Sequence, residues 1–363
     1  MLAYPFTAIL EVMKPCKPKD DDPKHVEKKE EAFHSSLYVL EEKIDGMHGL
    51  SIGGRIYSTR VSKKTGLPPE KSQVIAHISG PLRDYSDTLI LDGEIYYPGA
   101  KSSDVTGITN ASDAEGVSRQ VDGTLARRFP ADELPEHVVN REKPLNPGYL
   151  RYVVFDILRD IDGTWLVTET FEKRRAILEE RMQDLDHIEC LDLNRIYTEN
   201  KGTQLKSILK RGGEGAILKY IHGQYLPGKR PMWNQIKIKQ EMVDDVIVLG
   251  FKSPKKLYTG KNLEEWTFWV DELPVTEAYF HGWVGAIEIG KYDEKGDLVP
   301  LGTVAGLTKE QQREFATNGD LYIGKVARIR GMEMTPAGVY RHAFFDSWHP
   351  DKNPEECKLE ENT

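Results

Sequence analysis

Cysteine is scarce in this chain. Cys16, Cys190 and Cys357 are the three cysteines among 363 residues, and no two of them form a Cys-x-x-Cys pair. This pattern argues against a disulfide framework and offers no cysteine pair for a zinc site. Apolar runs long enough to cross a bilayer are also absent, and residues 1–6 lack the basic-then-apolar pattern of a secretion signal. These absences predict a protein of the reducing cytoplasm that does not contact a membrane.

Net positive charge is missing as well. The chain has 49 lysines and arginines against 58 acids, which gives a net charge of −9 at pH 7. Because proteins bind nucleic acid by displacing counterions with basic groups, this balance argues against indiscriminate nucleic-acid binding. A DNA enzyme of this charge would have to gather its cations on one face. The candidate clusters, each of which could equally be an ordinary solvated surface, are Lys206, Lys210 and Arg211; Lys229 and Arg230; Lys252, Lys255, Lys256 and Lys261; and Arg328 and Arg330.

Length and composition predict two globular domains. A chain of 363 residues exceeds the usual size of one domain, and 39% hydrophobic with 29% charged residues suit a real core. Residues 14–31 are rich in Lys, Asp, Glu and Pro, which predicts an exposed and mobile segment. Residues 101–148 are rich in Gly, Ser, Asp and Pro, which predicts a long loop with little core.

The first part of the chain mixes strand and helix patterns. Short apolar runs bounded by glycine and aspartate predict strands at residues 37–40, 50–52, 88–91 and 152–155. Apolar residues at offsets of seven, eleven and fourteen from Phe171 predict a helix over residues 171–185. A shorter helix is predicted over residues 204–211, where Gly212 and Gly213 end it.

The pattern changes after Lys239. Residues 244–251, 266–270, 283–289 and 322–329 predict strands joined by turns rich in glycine and lysine. Several short strands within some 120 residues are typical of a small β-barrel. We therefore place a domain boundary near residue 240. The acidic tail, residues 351–363, is expected to fray.

Six short motifs follow one another in a fixed order. A single Lys-x-Asp-Gly string would occur by chance, but the whole ordered set would not. The strings are Glu41-Glu42-Lys43-Ile44-Asp45-Gly46, Ser58-Thr59-Arg60, Leu91-Asp92-Gly93-Glu94, Phe155-Asp156-Ile157-Leu158, Glu214-Gly215-Ala216-Ile217-Leu218-Lys219 and Trp233-Asn234-Gln235-Ile236-Lys237-Ile238-Lys239. Together they resemble the nucleotidyltransferase motifs of ATP-dependent DNA ligases, in particular the compact bacterial and phage forms.

The resemblance implies a fold and a domain organisation. The fold class it implies is α+β, with a nucleotidyltransferase (ATP-grasp-like adenylation) domain over residues 1–240. An OB-fold β-barrel over residues 241–363 is expected to follow. The resemblance also implies a minimal enzyme without a further DNA-binding domain, acting as a monomer and of phage or bacterial origin.

Lys43 is the candidate nucleophile. Lysine amines are mostly protonated at neutral pH, and they become nucleophilic where nearby positive charge or burial disfavours the proton. Lys237 and Lys239 alternate along a predicted strand, so both face one side, where they can supply that charge and bind a triphosphate. Read alone, the string around Lys43 would fit a surface lysine beside Glu42. By resemblance, Lys43 attacks the α-phosphorus of ATP and becomes a lysyl-AMP.

Glu94 and Glu214 are the candidate metal ligands. Each lies beside a glycine, which lets the backbone approach a ligand closely. Carboxylates near a triphosphate repel it unless a divalent cation lies between them, so ATP and Mg²⁺ are the expected cofactors. Glu214 is the stronger metal candidate, and Glu94 binds either the metal or the ribose. Without the motif order, both would fit exposed turn glutamates.

Four further residues take nucleotide roles by resemblance. Phe155, which its apolar neighbours alone would place in a core, stacks on the adenine ring. Arg60 contacts the ribose and later the 5′-phosphate of the nick, since an arginine fork suits both. Glu41 helps to select adenine, although the adjacent Glu42 leaves that register open. Lys219 binds phosphate, and its alternative is an ordinary lysine at a strand end.

The last motif lies near the C-terminus. Arg341, Asp351 and Lys352 fall in segments that resemble the one that orients the leaving pyrophosphate in the family. The chain departs from the family at His48 and His349, where arginine is usual. Histidine is mostly neutral at pH 7, so both departures bear on how strongly triphosphate and nick are bound. They do not bear on the type of reaction.

The predicted activity is the sealing of nicks in duplex DNA. Lysine adenylation, transfer of AMP to the 5′-phosphate and attack by the 3′-hydroxyl are all phosphoryl transfers, which depend on positioning and charge neutralisation. Two alternatives stay open: an RNA ligase or mRNA-capping guanylyltransferase, and a DNA-binding module with an inactive pocket. The strings around Arg60 and Arg341 favour a DNA ligase over the first. Intact Lys43, Glu94 and Glu214 argue against the second.

Overall fold

The computed structural model describes residues 11–18, 22–62, 64–121, 148–239, 242–260, 263–331, 333–334, 340–341 and 343–359. The chain forms two compact units, Met1–Lys239 and Gln240–Thr363. In these ranges no helix has both the length and the apolar character needed to cross a bilayer. Each unit has its own apolar core, so the two are described in turn.

A four-stranded antiparallel sheet in the first unit carries several motif residues. Its strand order is β7-β1-β8-β9, with β1 at Tyr38–Glu42, β7 at Ile196–Tyr197, β8 at Gly215–Tyr220 and β9 at Gln235–Lys239. Leu40, Leu218 and Ile236 are buried on one face of this sheet against Ile208 and Ala32, which belong to the helices Lys201–Lys210 and Pro23–His34. Cys16 pairs with Ile236 and so extends the sheet beyond β9.

A second sheet holds the larger core of this unit. Its order is β3-β2-β4-β5-β6, with β2 at Met47–Ile52, β3 at Arg55–Ser58, β4 at Ile90–Tyr96, β5 at Arg151–Arg159 and β6 at Leu191–Leu193. Four helices contribute to its core: Ala76–Tyr85, Ser102–Thr109, Asp113–Val121 and Phe171–Asp184. Gly93 lets β4 lie close to β5, because a Cβ there would come within 2.5 Å of the carbonyl oxygen of Val153.

The predicted elements of the first unit are present, and two segments that were predicted without regular structure form helices in part. The helix Phe171–Asp184 confirms the apolar stripe, and Thr170 caps its start by accepting a hydrogen bond from the backbone N–H of Lys173. Residues 14–31 were predicted to be exposed and mobile; residues 23–31 belong to the helix Pro23–His34, most of whose side chains are exposed. Residues 101–121 form two helices, because a few apolar side chains such as Val105 bury completely despite the polar composition around them. Residues 122–147 of the predicted loop lie outside the described residues.

The second unit is built on one antiparallel five-stranded sheet. Its order is β14-β13-β10-β15-β18, with β10 at Met242–Lys252, β13 at Ala286–Tyr292, β14 at Leu298–Val304, β15 at Val326–Gly331 and β18 at Phe344–Trp348. Two short hairpins join it, formed by β11 (Trp269–Val270) with β12 (Leu273–Pro274) and by β16 (Glu333–Met334) with β17 (Tyr340–Arg341). The α-helices described in this unit are Glu277–Phe280 and Lys309–Asn318, and short 3-10 helices lie at Gly319–Leu321 and Pro354–Glu356. Ala305, just after β14, pairs with Phe344 at the start of β18, so the two edge strands of the sheet are linked.

Strand predictions in the second unit are partly confirmed. The strands predicted at residues 244–251 and 283–289 correspond to β10 and β13, but the one at 266–270 shrinks to the two residues of β11. The strand β14 and the helix Lys309–Asn318 were not predicted. The tail was expected to fray, but this is wrong up to Leu359: Cys357 is buried, and the backbone N–H of Leu359 donates to the carbonyl of Tyr292 at 2.8 Å. Residues 360–363 lie outside the described residues.

Candidate active site

Lys43 and Glu214 meet where β1 ends and β8 begins. The antiparallel pairing of these strands is continued by a hydrogen bond of 2.9 Å from the backbone N–H of Lys43 to the carbonyl of Gly215. The ammonium of Lys43 donates to one carboxylate oxygen of Glu214, and the ammonium of Lys239 donates to the other. Gly215 adopts a φ of 139°, and a Cβ there would come within 2.2 Å of the carbonyl of Ile238. The sheet therefore brings together two motif residues that are 171 positions apart.

Positive charge surrounds the carboxylate of Glu214. Burial opposes ionisation of this group, but the charges of Lys43 and Lys239 outweigh burial and lower its pKa. Lys237 also belongs to this cluster, because burial and then the charges of Lys239 and Lys43 lower its pKa. Three lysines around one carboxylate leave an excess of positive charge, which is the electrostatic environment that a polyphosphate requires.

Glu94 provides a second carboxylate. It lies on β4, directly opposite His48 on β2. Burial, with contributions from the charges of Glu214 and Asp92, raises the pKa of Glu94 to about 7. A carboxylate whose pKa is raised by a neighbouring carboxylate is a candidate ligand for a divalent cation, and Mg²⁺ is commonly held by one or two carboxylates together with phosphate oxygens. Among the described residues no group of three or more potential metal ligands occurs, so the remaining ligands would have to come from the substrate and water.

Lys219 and Glu41 form a buried ion pair beside Phe155, which is half-buried. The ammonium of Lys219 donates to the carbonyl of Phe155 at 3.0 Å, lies 2.8 Å from a carboxylate oxygen of Glu41 and lies 4.9 Å from the centre of the Phe155 ring. Glu41 is 1% exposed, and burial raises its pKa although Lys219 and Arg175 oppose that shift. Its second oxygen has no hydrogen-bond partner in the described part of the chain, with Arg175 at 3.9 Å. A phosphate role for Lys219 stays a prediction, since its ammonium here is engaged by Glu41.

His48 lies between these groups. Its Nε2 is 2.5 Å from a carboxylate oxygen of Asp92, and its ring packs edge-on against Phe155 with 5.6 Å between the ring centres. Burial opposes the charged imidazole, but the Asp92 carboxylate outweighs burial and raises the pKa of His48. Asp92 was read in the sequence only as part of a motif string, and no local signal there indicated that it would hold His48.

A cavity of about 140 Å³ borders Lys43. Sequence reasoning did not place most of its lining, which is made by residues 42–45, 96–101 and 211–214. Arg211, predicted only as one member of a basic surface cluster, donates to the carboxylate of Glu42. Glu42 therefore forms an ion pair with Arg211, whereas its neighbour Glu41 forms an ion pair with Lys219.

The remaining predicted residues are Arg60 in the first unit and Arg341, Asp351 and Lys352 in the second. Arg60 follows β3 and is exposed, with its backbone N–H 3.4 Å from the Ser58 hydroxyl oxygen. In the second unit, Arg341 lies on β17 but its side chain is outside the described residues, and Asp351 is exposed. Lys352 donates to Asp245 at 3.0 Å, and Arg328 donates to the same carboxylate at 3.0 Å.

His349, the second departure from the family, is also in this unit. Its backbone N–H donates to Val326 at 3.0 Å. Its Nδ1 is buried and has no hydrogen-bond partner among the residues that the structure describes. Unlike His48, it is not paired with a carboxylate in the described contacts.

Comparison with known proteins agrees with this geometry. The model of the family "ATP dependent DNA ligase domain" matches residues 1–239. DNA ligase C1 of Mycolicibacterium smegmatis is 24% identical over 306 residues, which cover 75% of this chain and 74% of the relative. A DNA ligase of Methanocaldococcus jannaschii is 25% identical over 342 residues, which cover 87% of this chain and half of the relative.

A solved structure from a structure–function study of Lig E DNA ligases is also similar. It has a TM-score of 0.53 and 16% sequence identity, and the match covers 86% of this chain and 93% of the other. At this identity the likeness bears on the fold alone.

Proposed function

This chain belongs to the family of ATP-dependent DNA ligases, and we propose that it seals nicks in duplex DNA through a lysyl-AMP formed on Lys43. The observation that carries the proposal is the position of the Lys43 ammonium, which shares the Glu214 carboxylate with Lys239. The Lys43 side chain is 24% exposed, so a substrate can reach it. A surface lysine would have no need of two further lysines and a buried carboxylate around it.

In the first step Lys43 acts as the nucleophile. Its Nζ, once free of its proton, attacks the α-phosphorus of ATP; a phosphorus–nitrogen bond forms and the bond to the leaving pyrophosphate breaks. Lys237 and Lys239 lie beside Lys43 and neutralise the charge that accumulates on the phosphate oxygens. The AMP then passes to the 5′-phosphate of the nick, and the 3′-hydroxyl displaces it.

Glu214 and Glu94 fit a magnesium ion. The charge of Glu214 contributes to the raised pKa of Glu94, so the two carboxylates interact. Their oxygens are hard ligands of the type that Mg²⁺ prefers. When bound, the ion would neutralise phosphate charge and withdraw electron density from phosphorus. Since Glu214 also binds Lys43, occupation of its carboxylate by a cation would leave the ammonium of Lys43 without that partner.

Glu41 and Phe155 suit the base. An aromatic ring on β5 offers a face for stacking, and the free carboxylate oxygen of Glu41 is a buried acceptor that the 6-amino group of adenine would satisfy. Guanine carries a carbonyl at that position, which would repel the acceptor. This contrast favours ATP over GTP and so a ligase over a capping guanylyltransferase.

The second unit is proposed to be an OB-fold domain that follows a nucleotidyltransferase domain, with the boundary at residues 239–240. An OB-fold is a partly open barrel of five strands. Five antiparallel strands and the pairing of Ala305 with Phe344 between the edge strands support this assignment. Arg341, Asp351 and Lys352 would orient the pyrophosphate, for which Lys352 must leave Asp245.

Nicked duplex DNA is the proposed partner, and a basic surface beside β9 suits its backbone. Lys14, Lys229 and Arg230 are exposed and adjacent, since the backbone N–H of Lys14 donates to the carbonyl of Lys229 at 3.0 Å. The charge of Arg230 also lowers the pKa of Lys237, so this surface interacts electrostatically with the lysine cluster. For a chain with a net charge of −9, such a local concentration of cations is what DNA binding requires.

Salt dependence tests the basic surface. Each phosphate contact contributes about 0.9 to the slope of log affinity against log salt, so replacing Lys14, Lys229 and Arg230 with alanine should reduce the slope by roughly 3. Replacing the exposed cations Arg55, Lys173 and Lys295 should leave the slope unchanged. Equal slopes in both triple variants would show that DNA binds elsewhere, while lysyl-AMP formation would be unaffected by either set.

The function itself is tested by mass measurement. The protein is incubated with Mg²⁺ and either ATP or GTP, and its intact mass is measured before a nicked duplex is added. Addition of AMP followed by its loss with joining of the strands is the expected result. A GMP adduct would favour a capping enzyme, and joining of nicked RNA in preference to DNA would favour an RNA ligase. Absence of any adduct would favour an inactive DNA-binding module.

A further inference from the structure

A line of buried hydrogen bonds runs from the N-terminal segment to His48. The backbone N–H of Met13 donates to the hydroxyl of Tyr225 at 3.1 Å. That hydroxyl donates to one carboxylate oxygen of Asp92 at 2.7 Å, and the other oxygen lies 2.5 Å from Nε2 of His48. Tyr225 and Asp92 are 2% and 1% exposed, whereas the His48 side chain is 27% exposed. The line therefore starts in the protein interior and ends at an accessible imidazole.

Strand geometry places that imidazole within the site. His48 lies opposite Glu94 across β2 and β4, and Asp92 lies two residues before Glu94, so the three side chains share one face. On this face His48 contacts the Phe155 ring, proposed to stack on adenine, and its charge interacts with that of Lys43, proposed to attack the α-phosphorus. A nucleotide that spans Phe155 and Lys43 must therefore pass the imidazole.

The orientation of His48 is fixed by its partner. A carboxylate can only accept a hydrogen bond, so the contact with Asp92 assigns a proton to Nε2 of His48 and leaves Nδ1 for a ligand. Asp92 in turn is held by the hydroxyl of Tyr225, which burial and the Asp92 charge keep protonated by raising its pKa. An arginine at this position would present several N–H donors in a fixed planar geometry. An imidazole has fewer donors, and its orientation depends on hydrogen bonds from its neighbours.

The structure assigns Tyr225 a positioning role in nucleotide binding: through Asp92 it aims the imidazole of His48 at ATP. This inference rests on the proposed function, because it concerns the nucleotide that reacts with Lys43. Tyr225 lies outside the six motifs, and its hydroxyl is 133 residues from Asp92 in the chain. Tyr225 itself does not touch the nucleotide in this arrangement.

The test compares two buried tyrosines in the full chain. Tyr152→Phe is the matched control, because the Tyr152 hydroxyl is also buried and donates to the backbone carbonyls of Gly49 and Leu91, at 3.0 Å each, and not to Asp92 or the imidazole of His48 in the described contacts. Single-turnover formation of the AMP adduct is measured against ATP concentration for both variants, for His48→Ala and for the double variants with His48→Ala. Thermal unfolding is followed in parallel.

Both tyrosine variants should lower the unfolding temperature, but only Tyr225→Phe should change adenylation. At low ATP it should lose on the order of tenfold to a hundredfold, the scale of a misplacement of about 1 Å, while the rate at saturating ATP falls less. In the His48→Ala background the same change should have no further effect on adenylation. Equal kinetics for Tyr225→Phe and Tyr152→Phe, or effects of Tyr225→Phe and His48→Ala that multiply, would overturn the positioning role.

A spectroscopic measurement tests the inference independently of the adenylation kinetics. Ring-nitrogen NMR of His48, assigned by comparison with His48→Gln, should show a protonated Nε2 whose signal broadens or shifts in Tyr225→Phe but not in Tyr152→Phe. An unchanged His48 signal in Tyr225→Phe would overturn the inference. If the natural protein formed no adduct with ATP, the proposed function would fail, and this signal would still report on the hydrogen bonds.

Discussion

The carboxylate of Glu214 accepts a hydrogen bond from the ammonium of Lys43, the group proposed to attack ATP. This pairing keeps the side chain of Lys43 within the site, and it has to be broken before the Nζ atom can attack phosphorus. Because the second oxygen of Glu214 binds Lys239, both oxygens are engaged. Binding of a cation to Glu214 and release of Lys43 are therefore linked events.

Replacement of Lys43 by alanine should abolish the AMP adduct. It should spare much of the joining of a nick that already carries a 5′-adenylate, because that step does not need the nucleophile. The measurements are intact mass and joining of the two substrates on a gel. Lys101→Ala, which removes another lysine from the same cavity, is the control and should retain the adduct. An adduct on the Lys43→Ala protein would refute the assignment.

Glu214→Gln should raise the Mg²⁺ concentration needed for adenylation. The amide keeps the shape of the side chain but loses the charge that holds a cation, and a metal contact is worth several kcal/mol. We expect a rate loss of about a hundredfold at limiting Mg²⁺. Adduct formation is titrated with Mg²⁺, and Glu115→Gln, in a surface ion pair with Arg119, serves as the control. Coinciding titration curves for the two variants would make Glu214 a bystander.

The pH dependence of ATP affinity should identify the histidine that meets phosphate. Asp92 raises the pKa of His48 above its ordinary value of 6.5, so the imidazolium, which favours phosphate, persists to higher pH. The contribution of the His48 imidazolium to ATP affinity should be complete below pH 6.5. This component should be lost as the pH rises through the raised pKa of His48. The same sign holds for stability, because the folded state binds this proton more tightly than the unfolded state.

His48→Arg should flatten this component and tighten ATP binding, and Asp92→Asn should move the decline to lower pH. His349→Arg is the comparison, since the described contacts give His349 no carboxylate partner. ATP dissociation constants are measured from pH 5.5 to 8.5, a range chosen to bracket the ordinary histidine value of about 6.5. Superimposed profiles for the natural protein and both arginine variants would mean that neither histidine touches phosphate.

Residues 1–240 alone should fold and bind ATP but adenylate slowly. The proposed pyrophosphate contacts Asp351 and Lys352 lie in the other unit, so only positioning of the leaving group is lost, on the order of a hundredfold. In the full chain, Lys352→Ala should reproduce much of this loss, while Lys295→Ala, an exposed lysine of the same unit, should not. Full activity of the truncated protein would show that these contacts are dispensable.

Elements with strong local patterns were predictable from sequence, and long-range pairs were not. The helix Phe171–Asp184 carries its own apolar stripe and cap, and the alternation of Lys237 and Lys239 predicted the strand that is β9. The helices within residues 101–121 were missed because a few buried side chains outweigh a polar composition. The Glu41–Lys219 pair and the Asp92–Tyr225 hydrogen bond each join segments far apart in sequence, and no local pattern encodes them.

The pairing of the segment around Cys16 with β9 has a consequence for synthesis. Its hydrogen bonds join the first described residues to partners more than two hundred positions later, as Met13 and Tyr225, 212 positions apart, illustrate. A ribosome releases this segment early, yet the strand beside which it lies emerges only when the first unit is almost complete. Local helices can form during that interval, but contacts of such high sequence separation must wait. The proposed nucleotide pocket, which includes Lys237 and Lys239 of β9, is thus expected to be among the last parts of this unit to fold on the nascent chain.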